Sequence, residues 1–210
     1  MFYRQRWVTA GVLLATVSSL FWLVGGQSDL TMESTGKYAI ESAIGRLSRA
    51  RIFNDDHEFM RRVAWIETRD GGDPKTFRTG YYGGIWQVDA DVFFNTQTDP
   101  VAISVWQPRI ASKLNISWPD VLWKDLRKPF YSLLAARLQL QIQTQPGECK
   151  RPIPNSLPDQ ATFYLRCYHT SSSNQISLSM QMGAVRNPNS FILAITECRK
   201  AMSCTSGGPT

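Results

Sequence analysis

The chain has 210 residues, 43% hydrophobic and 19% charged, with 10 Phe, 7 Tyr and 7 Trp. That content excludes a disordered, collagenous or coiled-coil chain, and the single long apolar run excludes a multi-span membrane protein. The formal net charge of +6 loses Arg4 and Arg6 when residues 1–26 are set aside; it suits a polyanionic surface as partner and is too mild to indicate nucleic acid.

Residues 1–26 begin with two arginines, continue through an apolar stretch over 7–24 and end on Gly25-Gly26. This is the pattern of a secretory signal cut before Gln27. The apolar run also meets the lower length limit for a membrane span, so a retained single-pass anchor is the alternative. Either way the body of the chain is expected outside the cytosol, as a secreted, extracellular protein and a monomer. Cys149, Cys167, Cys198 and Cys204 all fall in the last third. An even count in an exported chain predicts two disulfides, with three pairings open. With no CxxC spacing and only two His, no metal is expected, and no cofactor. Asn115-Ile116-Ser117 is a glycosylation acceptor and predicts a surface loop.

Residues 27–36 are small and polar and read as a linker. Ile40, Ala43, Ile44 and Leu47 recur at helical spacing and predict a helix over 37–51. Asp55 followed by Glu58 forms a capping-box pattern that should open the next helix, with Phe59, Met60, Val63, Ala64 and Ile66 on its apolar face. Glycines and a proline over 70–84 predict a loop or a small hairpin. Order should return over 85–94, with helices over 101–114 and 125–143 and a new element starting at Trp118-Pro119. Pro152, Pro154 and Pro158 mark a turn-rich connection. A short helix or extended piece over 161–168, a polar loop over 170–174, and helices over 176–182 and 190–202 complete the chain. The prediction is mainly α: a single domain over 37–204 with a glycine-rich loop or hairpin near its middle and a tail at 205–210.

Glu67 lies seven residues after Met60 and four after Val63, so it shares their helical face. A carboxyl at the end of a buried stripe is desolvated, which raises its pKa and suits it to act as the general acid of a glycosidase. The competing reading is an ion pair with Arg62 or Arg69.

Glu67-Thr68, followed by Gly84-Ile85-Trp86-Gln87-Val88-Asp89 after a glycine-rich interval, resembles the soluble lytic transglycosylase and goose-type lysozyme superfamily. There a helix ends in Glu-Ser and a Gly-Leu-Met-Gln segment follows, extended to Gln-Val-Asp in the goose-type enzymes. The close similarity covers about residues 53–96. The resemblance implies a lysozyme-like α fold, a groove for peptidoglycan and Glu67 as the acid. It also implies a late tyrosine aimed at the glutamate. Tyr168-His169 is the best local match to the family's Tyr-Asn pair, with His in place of Asn. Thr68, Gly84, Gln87 and His169 are the further substrate-binding candidates, and Tyr81, Tyr82 and Trp86 are candidates for apolar sugar faces.

Asp89 matches the goose-type aspartate. Inverting hydrolysis needs a base roughly 6.5–9.5 Å from the acid, whereas transglycosylases let the substrate's own hydroxyl attack. Asp89 facing the groove favours hydrolysis; Asp89 capping the helix that follows leaves lytic cyclisation open. The expectation is a secreted glycosidase cleaving peptidoglycan or a related N-acetylated polysaccharide. The alternative is a catalytically inactive lysozyme-like binding or structural protein, exported or anchored.

Overall fold

The computed structural model describes residues 28–53, 57–142, 149, 152–169 and 187–200. The expected signal segment, residues 54–56 at the capping box, the helix expected over 176–182, the tail and Cys204 lie outside them. The described residues form a mainly helical domain without strands. The hairpin allowed over 70–84 does not form, and residues 69–87 pass through a series of turns. No helix among the described residues is long and apolar enough to cross a membrane.

Helix α1 (Gly36–Ala50) buries Ala39, Ile40, Ala43, Ile44 and Leu47 along one stripe and stops on Arg51, whose φ of 50° is left-handed. Helix α2 (His57–Thr68) buries Phe59, Met60, Val63, Ala64 and Ile66. Helix α3 (Ala90–Thr98) is followed by a π-helical turn (Ala102–Trp106) that runs into α4 (Gln107–Leu114). Asn115 ends α4 in the left-handed conformation and is exposed, in keeping with a surface turn at the expected acceptor.

Helix α5 (Pro129–Ile142) starts later than the expected residue 125. Trp123–Arg127 instead forms a 3-10 turn, Lys128 is extended, and Pro129 opens the helix where its missing N–H costs nothing. Twelve of its fourteen residues are buried, which makes it the central helix, packed on α1 and α3. Helix α6 (Leu157–Phe163) continues as a second π-helical turn (Tyr164–Tyr168), and α7 (Pro188–Lys200) lies against α2 and α6. Cys149 and Cys167 are bridged, and Cys198 is also disulfide-bonded.

The segment expected as a linker is packed instead. Ser28–Leu30 makes a 3-10 turn that buries Asp29. The Asp29 carboxylate accepts hydrogen bonds from Ser42 Oγ at 3.1 Å and Arg46 Nε at 2.6 Å. A buried aspartate must be paired, so the polar look of the segment concealed an anchor onto α1.

Ser132, on α5, fixes the turns. Its hydroxyl donates to the Gly83 carbonyl at 2.9 Å and accepts from the Trp86 N–H at 3.1 Å. Gly84 sits between them with φ of 67°, where a methyl group would overlap the Leu126 carbonyl oxygen and come within 2.7 Å of Ser132 Oγ. Gly84→Ala should therefore destabilise the fold by about 3 kcal/mol or more in urea unfolding. A loss below about 0.5 kcal/mol would show that the turn does not need this close approach.

Candidate functional site

The inner end of α2 is built around an unusual termination. Arg69 and Asp70, neither of them glycine, have φ of 52° and 61°. Two consecutive left-handed residues are costly and persist only where their surroundings hold them. The Arg61 guanidinium grips the Asp70 carboxylate at 2.5 and 2.6 Å, both groups being buried, and its Nε also meets Glu41 at 3.0 Å. Just before them the Thr68 hydroxyl accepts from the Gly71 N–H at 3.0 Å and lies 3.1 and 3.0 Å from the carbonyl oxygens of Ala64 and Ile85. The helix thus stops one residue after Glu67, and the turns are drawn back against it.

Glu67 is 3% exposed. Its Oε1 accepts a hydrogen bond from the Tyr164 hydroxyl at 2.6 Å, and its Oε2 has no hydrogen-bond partner among the described residues. The anticipated ion pairs do not form. Arg62 binds Glu58 and the Gln160 side-chain oxygen, while Arg69 stacks over Trp65 at 5.0 Å and meets Glu197 at 3.3 Å. Burial pushes the Glu67 carboxyl up to about 7; the Tyr164 hydrogen bond opposes this and the nearby Asp89 charge adds to it.

Glu67 opens onto a small cleft, about 10 Å³ and room for roughly one water molecule, that is also lined by Gln87, Asp89, Val92, Gln139, Tyr168 and His169. Asp89 stands at the N-cap position of α3 with extended backbone, yet its side chain makes no capping hydrogen bond. Its Oδ1 instead accepts from the Tyr81 hydroxyl at 2.9 Å. Burial raises the pKa of Asp89 as well, with the Tyr81 hydrogen bond pulling it down. His169, its pKa lowered by burial, stacks on Tyr164 at 5.6 Å.

The expected tyrosine is shifted by one turn. Tyr168 lines the cleft, but its hydroxyl donates to the Trp86 carbonyl at 2.6 Å; Tyr164 is the residue that reaches Glu67. Both rings lie on the π-helical turn, stacked at 5.9 Å, four residues apart and so on one side of it.

Several residues expected at the substrate are consumed by the fold. Thr68 is 1% exposed and its hydroxyl is fully engaged by backbone. Trp86 is wholly buried, its indole N–H donating to the Met60 carbonyl at 3.0 Å, so it is a core residue and no sugar platform. Tyr81 is buried and spends its hydroxyl on Asp89. Gly84 approaches Leu126 and Ser132, on the interior side. Gln87 lines the cleft, but its amide bonds the Gly84 carbonyl at 2.6 Å and accepts from Arg78 at 3.0 Å. Tyr82 is half-buried, edge-on to Trp123 at 5.2 Å. Sequence reasoning missed Tyr164, Val92 and Gln139; the apolar Phe163-Tyr164-Leu165 run was the available signal for the first.

Among the described residues no group of three His, Cys, Asp or Glu side chains could hold a metal ion. No protein-family model, no curated protein and no solved structure matches the chain.

A carboxyl raised from its ordinary value to about 7 binds its proton more tightly in the native state, so its stabilising effect is complete below the unfolded value and disappears as pH rises through about 7. Glu67→Gln should abolish that dependence. Between pH 4.5 and 8 the variant should gain up to about 3 kcal/mol relative to the wild type, read from urea unfolding at several pH values. A difference that shrinks as pH rises would mean an ionised, stabilised glutamate.

Proposed function

We propose that the chain is a secreted glycosidase of lysozyme-like fold that cleaves the glycan strands of peptidoglycan or a related N-acetylated polysaccharide, with Glu67 as general acid. The observation that carries this reading is a carboxyl that is buried, free of any ion pair among the described residues, raised to about 7 and open to a cleft. With a pKa near neutral, a large share of it still carries a proton that it can give to a leaving glycosidic oxygen. With Oε1 held by Tyr164, Oε2 is the oxygen left to deliver the proton. The Cys149–Cys167 bridge fits an oxidising compartment.

Asp89 supports hydrolysis over cyclisation. Its side chain makes no capping hydrogen bond and lines the same cleft as Glu67, where a base that activates water would have to lie. Burial raises the pKa of both carboxyl groups, and each accepts one tyrosine hydroxyl, Glu67 from Tyr164 and Asp89 from Tyr81.

One set of observations favours the non-catalytic alternative. Thr68, Trp86 and the Gln87 amide are committed to the interior, which leaves fewer groups to grip a sugar. A peptidoglycan zymogram of wild type and Glu67→Gln separates the readings. The enzyme predicts clearing by the wild type and none by the variant; equal clearing by both, or by neither, removes the catalytic role. In the active case Tyr164→Phe should move the alkaline limb of the pH–rate profile upward, because it deletes a hydrogen bond that favours the ionised form of Glu67.

A further inference from the structure

Asp89 has the backbone of an N-cap, φ −64° and ψ 158°, but makes no capping hydrogen bond. Aspartate at this position ordinarily accepts from the helix N–H groups, an interaction worth about 1 kcal/mol. Something therefore outcompetes the cap, and Tyr81 is the group in contact. Its ring is buried edge-on to Trp123 at 5.6 Å, and the Arg78 guanidinium lies over its face at 3.6 Å. Its hydroxyl occupies space that a side chain at position 83 would need: a methyl on Gly83 would lie 2.5 Å from it and 2.6 Å from the Val88 carbonyl oxygen. The glycine at 83 is thus what lets the tyrosine reach across to Asp89.

We propose that Tyr81 is a positioning residue: held by Arg78, Trp123 and the absence of a side chain at Gly83, it draws the Asp89 carboxylate off the cap of α3 and presents it to the cleft facing Glu67. This deepens the glycosidase reading and rests on it for its catalytic meaning, because a base turned into the helix cap would be withdrawn from the cleft. The groups facing Asp89 are Tyr81 and Arg78 from the turns, Asp91 from α3, Glu67 from α2, and Tyr168 and His169 from across the cleft. Of these, Tyr81 donates a hydrogen bond to the carboxylate.

The test is a double-mutant cycle read on Glu67, by carbon-13 NMR of its carboxyl group across pH, in wild type, Tyr81→Phe, Asp89→Asn and the double variant. Tyr81→Phe keeps the ring between Arg78 and Trp123 and deletes only the hydroxyl. It should release Asp89 from the cleft and lower the Glu67 midpoint by at least ~0.5 pH unit, and should have no such effect in the Asp89→Asn background. An equal shift in both backgrounds would show that the hydroxyl acts through packing, and no shift in either would show that it does not place Asp89; each overturns the proposal. The readout needs no turnover. A wild type that fails to clear peptidoglycan would overturn the glycosidase reading separately, with the titration still deciding the role of Tyr81.

Discussion

A charged carboxylate withdrawn from water without a cation costs several kcal/mol, and a protein normally avoids that cost by pairing the group or exposing it. Among the described residues Glu67 has neither remedy. The cations close to it in sequence are engaged elsewhere, Arg62 with Glu58 and Gln160, Arg69 with Trp65 and Glu197, and Arg61 with Asp70 and Glu41. What remains is a single neutral donor, the Tyr164 hydroxyl, which partly solvates the ion without cancelling its charge. The group settles the conflict by keeping its proton to about pH 7.

The surrounding architecture sustains that arrangement. The Arg61–Asp70 pair stabilises two left-handed residues directly after α2, so the helix ends where Glu67 can meet the cleft rather than continuing beneath it. Thr68 and Ser132 then fasten the turns from two sides, one from the end of α2 and the other from the central helix α5. The π-helical turn after α6 brings Tyr164 to the carboxylate and Tyr168 to the Trp86 carbonyl, which joins the same turns to the C-terminal helices. Three segments far apart in the chain therefore converge on one carboxyl group. Each is fixed by hydrogen bonds whose loss would either rewet Glu67 or move it.

Helix identity was legible because it depends on apolar spacing, which the sequence displays directly; the buried stripe of α1 is the one read from Ile40, Ala43, Ile44 and Leu47. The burial of Glu67 was legible for the same reason, since register with Met60 and Val63 carries it inward. Residue contacts across the fold were not. Tyr164 and Tyr168 lie four residues apart on one side of their helical turn, so spacing alone does not say which of them meets Glu67. Thr68, Tyr81 and Trp86 were assigned to substrate because polar and aromatic groups beside a presumed acid look available. Only the packing shows their hydroxyl and indole groups satisfied internally. The polar stretch before α1 misled for a related reason, because a lone aspartate gives no sign that Ser42 and Arg46 will enclose it.

The central claim is that burial, with no cation paired to it among the described residues, keeps the proton on Glu67 up to about neutral pH. Infrared difference spectroscopy of the wild type against Glu67→Gln across pH tests it directly, because the protonated carboxyl stretch is separate from that of the carboxylate. A carboxyl band that belongs to Glu67 and is lost with a midpoint near 7 is the predicted result. A midpoint at or below the ordinary glutamate value of about 4.3 would contradict it.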